Sequence, residues 1–144
     1  MRYIAKSLLL ATTALGIAVA PGTGSAGAAQ TGPQSLYAPS ALVLTVTAGD
    51  DAVNGSVLRA VTLTCKPKAG GTHPDAGAAC TQLRAQGARF ESIVTADSGV
   101  LCTRQWDPVT VTADGVWDGR RVAFTHTFGN SCLKEGADGI VFGF

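Results

Sequence analysis

The sequence has few of the residues and motifs from which catalytic sites are built. It contains only two histidines, His73 and His126, and no G-x-S-x-G motif, the turn that presents a hydrolase nucleophile. Its acidic residues are scattered, with no pair suited to glycoside hydrolysis. Its glycine-rich stretches lack the lysine and spacing of a phosphate-binding loop. We therefore predict that the chain is not an enzyme, with a small hydrolase as a minor alternative, because counting alone does not exclude a Ser–His–Asp arrangement.

Basic runs and metal-binding spacings are also absent. Once Arg2 and Lys6 are set aside, nine basic residues face ten acidic ones and no basic block exists. Nucleic acid is therefore not an expected partner. The cysteines lie far apart and include no C-x-x-C, which argues against a zinc site. We expect no metal and no cofactor.

The beginning of the chain has the pattern of an export signal. Arg2 and Lys6 precede an apolar run, and small residues follow in SAGAAQ. This is the order of a secretory signal peptide, and the run is too short and too rich in alanine for a comfortable membrane span. We predict a signal peptide at 1–29 and one domain at 30–144. The mature chain is expected outside the cell, with no membrane association.

Four cysteines remain, and an even number in a small exported chain predicts two disulfides. They are Cys65, Cys80, Cys102 and Cys132. Three pairings are possible, and sequential pairing closes the shortest loops. Each such bridge would stabilise the fold by roughly 3 kcal/mol in the chain-entropy model.

Hydrophobic periodicity predicts an antiparallel sheet. The segments 41–48 and 58–65 alternate apolar and polar residues and should pair. Two further alternating runs within 108–128 flank ADGVWDG, whose Asp-Gly pairs favour hairpin turns. His126 lies within the second run, where we expect a surface residue. The final IVFGF also alternates, and we expect it to close an edge of the sheet.

One segment between the predicted strands changes to a helical pattern. Pro74 and Asp75 suit the first turn of a helix, and Gly87 suits its end. Ala79, Leu83 and Cys80 are the residues expected to face the core. The following RFESIVTA fits either a helix or a short strand. Together the elements predict an α+β fold.

The segment GVLCTRQWDPV, residues 99–109, places a cysteine two residues before Arg104 and a proline soon after it. An arginine that served only solubility would need neither restraint. Tryptophan and arginine are enriched where binding energy concentrates, so Trp106 and Arg104 are candidate binding residues. Alternatively, Trp106 folds back over the core and Arg104 is an ordinary surface charge. Trp117, next to Val116 in the predicted hairpin, is expected in the core or on a sheet face.

Five motifs occur in the order found in a known family: LYAPSALVLTV, RAVTLTC, GTHPDAGAAC, DPVTVTADGVWDGRRV and VFGF. Together they resemble the Streptomyces subtilisin inhibitor family, small secreted inhibitors of serine proteases. The likeness extends from about residue 36 to the end. It implies a five-stranded antiparallel sheet with two helices, a homodimer formed through the sheet, and the disulfides Cys65–Cys80 and Cys102–Cys132.

The resemblance also places a reactive bond between Arg104 and Gln105, with Arg104 entering the main specificity pocket of the protease. The other loop residues expected to bind the protease are Leu101, Cys102, Thr103, Trp106 and Asp107. Asn130 resembles the family's asparagine that supports this loop from behind. The founding member has an apolar residue in place of Arg104 and a proline in place of Thr103. Because trypsin-like pockets hold a carboxylate that pairs with arginine, we expect inhibition of both subtilisin-type and trypsin-type serine proteases.

The resemblance implies reversible, substrate-like inhibition. A loop that is ordered in advance loses little conformational entropy on binding, and a cut bond held in place can be rejoined. Loss of the proline at Thr103 is expected to loosen the loop slightly. The alternative is a secreted, disulfide-stabilised β-rich binding module without inhibitory activity. Such a module would use the same disulfides and an exposed tryptophan but would need no scissile bond.

Overall fold

The computed structural model describes residues 38–95, 99–137 and 139–144. The predicted signal peptide at 1–29 lies outside the described residues. A five-stranded antiparallel sheet has the order β3-β2-β1-β4-β5. The strands are β1 Ser40–Ala48, β2 Val57–Lys66, β3 Gly70–Gly71, β4 Val109–Trp117 and β5 Arg120–Phe128. The helices are α1 Ala76–Ala85, α2 Phe90–Val94 and α3 Ser131–Gly136, with a 3₁₀ turn at Ile140–Phe142.

The architecture confirms the predicted five-stranded sheet with two disulfides. The described residues contain three helices where two were expected, because the short α3 follows β5. The ambiguous RFESIVTA segment forms α2. Among the residues described, no helix reaches the length and apolarity that a membrane crossing requires.

The core lies between one face of the sheet and the helices. Alternate residues of β1, Leu42, Leu44 and Val46, are all buried, as the alternating pattern predicts. Burying such a side chain stabilises a fold by about 1.5–3 kcal/mol relative to leaving it in water. Helix α1 covers this face, and its inward residues match the prediction: Ala79, Cys80 and Leu83 are fully buried.

The beginning of α1 follows its predicted signals. The Asp75 carboxylate accepts a hydrogen bond of 2.9 Å from the backbone N–H of Ala78, which satisfies one of the free donors of the first turn. Cys80 then joins Cys65 of β2 in a disulfide. The helix is therefore fixed to the sheet both by burial and by a covalent bond.

The last residues do not form a strand, so that expectation is wrong. Ile140–Phe142 is a 3₁₀ turn, in which Val141 and Phe142 are buried. The Val141 backbone N–H donates to the side-chain oxygen of Gln82 at 3.2 Å, and its carbonyl lies 3.2 Å from Nε2 of His73. These contacts with α1 and the loop before it fill one end of the core and leave no extended backbone to pair.

The hairpin between β4 and β5 is tighter than the sequence suggests. Only Asp118 and Gly119 form its turn, whereas the first Asp-Gly pair lies inside β4. Gly115 has a φ of 145° there, and a Cβ at this position would collide with the carbonyl oxygen of Ala41. This glycine serves close strand approach and not a turn. Trp117 is buried, as predicted.

His126 is only partly exposed, less than expected for a surface residue. It lies half-buried on the helix-covered face of β5. Its ring is parallel to that of Phe124 at 6.5 Å and edge-on to that of Phe128 at 4.6 Å. Burial lowers the pKa of His126 below the usual 6.5 because a charged imidazole is poorly solvated there.

The opposite face of the sheet is rich in threonine and exposed over much of its area. Val43, at its centre, keeps 47% of its surface exposed. Thr47 pairs with Thr110 and Thr110 with Thr127, forming a row across three strands. The Thr110 hydroxyl contacts that of Thr127 at 2.9 Å and donates to the Gly49 carbonyl at 2.8 Å. The buried Thr47 hydroxyl has no hydrogen-bond partner among the described residues.

Candidate functional site

The candidate site is the loop of residues 99–108, which precedes β4 and has no helix or strand of its own. Leu101 is 99% exposed, and Trp106 is 67% exposed. Thr103, Arg104, Gln105 and Asp107 are also exposed. Arg104 makes no side-chain ion pair or hydrogen bond within the described part of the chain. The loop therefore presents both apolar and charged groups to a partner.

A disulfide holds the first half of the loop. Cys102 is joined to Cys132 in α3, with 5.8 Å between their Cα atoms. The chain is therefore fixed covalently two residues before Arg104. The pairing is the one that the family resemblance implies.

Asn130 holds the middle of the loop from behind. Its Nδ2 atom donates hydrogen bonds of 3.0 Å to the carbonyl oxygens of Thr103 and Gln105, on either side of Arg104. Its Oδ1 atom accepts from the Leu133 backbone N–H at 2.9 Å and so caps α3. The side chain is buried, and the cap fixes the direction of its amide. The Arg104–Gln105 bond is thus bridged by one side chain.

Backbone contacts hold the second half of the loop. The Asp107 N–H donates to the Gly129 carbonyl at 2.9 Å, and the Pro108 carbonyl accepts from the Gly49 N–H at 2.8 Å. β4 then begins at Val109 and continues into the sheet. The loop is therefore followed directly by β4, which is paired with strands on both sides.

The structure brings together most of the residues that the sequence singled out. Residues 102–107 face a four-residue segment, 129–132, which supplies the disulfide, the asparagine and the backbone acceptor. Leu101 is almost fully exposed to solvent. Trp106 does not fold over the core.

Sequence reasoning missed Gly129 and Leu133. Both lie beside Trp106, more than twenty positions along the chain, and line a cavity of about 630 Å³ with it. Local periodicity carries no information on such a contact. Asn130, directly before α3, was the available signal for a short helix at this point, since asparagine is a preferred N-cap residue.

Comparison with known proteins supports the resemblance to the subtilisin inhibitor family. The family model described as subtilisin inhibitor-like matches residues 38–130. A protease inhibitor, SIL-V5, of Streptomyces luteoverticillatus is 56% identical over 108 residues, covering 75% of this chain and all of that one. The transglutaminase-activating metalloprotease inhibitor of Streptomyces mobaraensis is 57% identical over 111 residues, covering 77% of this chain and 75% of that one.

A solved structure agrees with the sequence relatives. Streptomyces caespitosus sermetstatin, crystallised in complex with Bacillus licheniformis subtilisin, superposes with a TM-score of 0.69 at 44% identity. The match covers 74% of this chain and 99% of that one. Both the fold and the family assignment therefore have experimental counterparts.

Proposed function

Because this chain belongs to the subtilisin inhibitor-like family, whose members are protease inhibitors and not enzymes, we propose that it inhibits serine endopeptidases by presenting Arg104–Gln105 as a substrate bond. One observation carries the proposal. The Asn130 amide bridges the carbonyls of Thr103 and Gln105 across an otherwise exposed bond. The cap of α3 needs only the Oδ1 atom of Asn130, so the two bonds from Nδ2 support presentation of this bond to a protease.

Preorganisation is the source of affinity in this proposal. A flexible peptide must lose conformational entropy to lie extended in a protease cleft, whereas a loop already fixed at both ends does not. More of the contact energy then appears as binding. The interface would have the standard size of protease–inhibitor complexes, on the order of 1,600 Å².

The same anchors allow a cut bond to be rejoined. The serine oxygen of the enzyme attacks the Arg104 carbonyl carbon, and the bond to the Gln105 nitrogen breaks as that nitrogen takes a proton. The new amine stays beside the acyl group because 129–132 holds both halves of the loop. Its attack on the acyl carbon restores the peptide bond, and the serine oxygen regains its proton. Effective concentration favours this return over hydrolysis.

Arg104 determines the expected targets. An exposed guanidinium with no ion pair to any described residue suits a pocket that ends in a carboxylate, which defines the trypsin type. The related sermetstatin was crystallised with a subtilisin, which supports the subtilisin type as a second target. We therefore propose inhibition of both types, with the trypsin type depending most on Arg104.

Titration of trypsin and of subtilisin with the mature protein tests the proposal. Stoichiometric loss of both activities is expected, together with a single nick after Arg104 on incubation with trace protease at low pH. Arg104→Asp should abolish trypsin inhibition, and Arg84→Asp, an exposed control in α1, should not. If the wild-type chain inhibits neither enzyme and is left intact or cut at many bonds, it is a binding module without inhibitory activity.

We further propose a homodimer formed through the exposed sheet face. The centre of that face exposes Val43 beside threonines, a surface that a second copy could cover. Val43→Asp would place a second carboxylate opposite Asp114, its neighbour across β1 and β4. Sedimentation equilibrium should show a dimer for the parent and a monomer for this variant. A monomeric parent would refute the dimer and leave the inhibitory mechanism untouched.

Export is the third part of the proposal. The basic, apolar and small-residue order of 1–29 supports a signal peptide that is removed to leave a mature domain beginning near residue 30. N-terminal sequencing of protein recovered from the culture medium of an expressing cell tests this directly. Recovery only inside the cell with Met1 retained would contradict it.

A further inference from the structure

The Trp106 indole lies over Gly129 and beside Leu133. Two of its ring carbons, Cε3 and Cζ3, lie 3.6 Å from the position that a Cβ of residue 129 would occupy. A methyl carbon of Leu133 lies 3.3 Å from the same position. The φ angle of Gly129 is not one that requires glycine. A methyl group at this position would meet the ring at ordinary van der Waals distance and crowd Leu133 slightly, whereas a larger side chain would displace the ring.

This packing lies between two backbone anchors of the same half of the loop. On one side the Gln105 carbonyl accepts from Asn130, and on the other the Asp107 N–H donates to Gly129. Trp106 is the residue between them. Three consecutive residues thus contact two consecutive residues of the supporting segment.

The two halves of the loop differ in how they are held. The half before the proposed cleavage point has a disulfide, Cys102–Cys132, which survives cleavage of any peptide bond. The half that begins with Gln105 has no covalent link of its own to 129–132 and depends on hydrogen bonds and on packing. Water can replace the hydrogen bonds of this half of the loop, because it offers donors and acceptors of its own. It cannot replace the apolar packing, which is favourable because it removes apolar surface from water.

We propose that Trp106 is a positioning residue. Its indole, packed over Gly129 and beside Leu133, keeps the amine of Gln105 close to the Arg104 carbonyl carbon after cleavage, so that the bond can be rejoined. This inference rests on the proposed inhibitory function and extends it to the leaving-group half of the loop. Trp106 acts through the backbone that it holds and does not take part in bond making.

Because Trp106 is exposed, its contact with a protease must be distinguished from its positioning of the loop. Two thirds of its surface is free, which leaves it available for contact with a bound protease. Loss of a protease contact lowers affinity for the enzyme but leaves the ratio of cut to intact inhibitor at equilibrium unchanged. Loss of positioning raises that ratio, because the ratio is a property of the inhibitor alone.

The experiment uses the mature chain, trypsin in catalytic amounts and three variants. Trp106→Ala removes the ring, and Trp106→Phe keeps a flat ring that can pack over Gly129 in the same position. Leu101→Ala removes an exposed apolar side chain from the other half and serves as the control. The measurements are the equilibrium ratio of cut to intact chain, the rate of rejoining from purified cut inhibitor, and hydrogen exchange of the Asp107 amide without protease.

Trp106→Ala should raise the cut-to-intact ratio and the exchange rate of the Asp107 amide on the order of ten-fold, with slower rejoining. Trp106→Phe should restore most of the loss, and Leu101→Ala should change affinity only. An unchanged ratio and unchanged exchange in Trp106→Ala would overturn the inference, whatever happens to affinity. Failure of the proposed function is distinguishable, since the wild-type chain would then neither inhibit nor be cut after Arg104.

Gly129→Val provides the reciprocal test. The methyl groups of valine extend beyond the Cβ position towards the indole and Leu133. They would displace the ring from Gly129 while leaving Trp106 in the chain. The same rise in the cut-to-intact ratio is expected. A normal ratio with this variant, in a protein that retains its circular dichroism spectrum, would also overturn the inference.

Discussion

The side-chain amide of Asn130 donates a hydrogen bond of 3.0 Å to the carbonyl oxygen of Gln105, which lies 25 positions earlier in the chain. It can do so because the other end of the same side chain caps α3 through the Leu133 N–H. One rotamer therefore satisfies both the helix and the loop. The short helix and the exposed bond are held in a fixed relationship as a result.

Asn130→Ser separates the two roles of this residue. Serine is a good N-cap, so α3 should persist, but the donors to the carbonyls of Thr103 and Gln105 are lost. Each bond contributes about 1 kcal/mol, so inhibition constants for trypsin should rise on the order of ten- to a hundred-fold. Ser131→Ala, an exposed neighbour, is the control. Equal inhibition by Asn130→Ser and the parent would show that the bridge does not support the loop.

The two disulfides should have different effects when removed. Replacing Cys102 and Cys132 together with alanine frees the first half of the loop, so the chain should become a substrate that is cut after Arg104 and loses potency with time. Replacing Cys65 and Cys80, which lie in the core, should lower stability but leave inhibition by the folded fraction intact. Each loss costs about 3–4 kcal/mol in the chain-entropy model.

Timed activity assays with mass spectrometry of the products distinguish these outcomes. The expected pattern is a progressive single cut in the Cys102/Cys132 variant and durable inhibition in the Cys65/Cys80 variant. Durable inhibition by both variants would mean that hydrogen bonds alone restrain the loop.

Thr47→Val should stabilise the protein. The hydroxyl of Thr47 is buried without a partner among the described residues, and valine has nearly the same shape without the polar atom. A gain of about 1 kcal/mol in the free energy of unfolding is expected. Thr110→Val is the matched control on the neighbouring strand, and it should destabilise by a similar amount because its hydroxyl has two partners.

Urea denaturation at one fixed protein concentration measures both effects, since a dimer would make stability depend on concentration. Equal destabilisation by the two variants would indicate that the Thr47 hydroxyl has a partner after all, such as a buried water molecule.

Much of the fold could be predicted because its signals are local. Alternating residues of β1, the Asp75 cap and the inward side of α1 each depend on neighbours within a few positions. The tail at 140–142 could not be predicted, since an alternating apolar run fits a strand until α1 is in place beneath it. The supporting role of Asn130 came only from the family resemblance, whereas the Gly129 carbonyl and the Trp106–Gly129 packing came from neither source, because they join residues more than twenty positions apart.

His126 makes stability depend on pH. Burial lowers its pKa in the folded state below the usual value of 6.5, so the unfolded chain binds the proton more readily. As pH falls through about 6.5 towards the folded pKa, the free energy of unfolding should decrease, and it should level off for this group below both values. Replacement by phenylalanine keeps an aromatic ring between Phe124 and Phe128 and removes the titration.

Denaturation of parent and His126→Phe between pH 5 and pH 8 gives the comparison. The difference in unfolding free energy between the two proteins should shift in favour of the variant towards acid pH. A difference that is constant across this range would contradict the assignment to His126.

Asn130 takes hold of the loop by main-chain carbonyls, which every amino acid possesses. The side chain of Arg104 therefore takes no part in the two hydrogen bonds that hold the backbone on either side of it. If the proposed inhibition holds, a substitution at position 104 would change the protease pocket that the loop suits without any change in the scaffold.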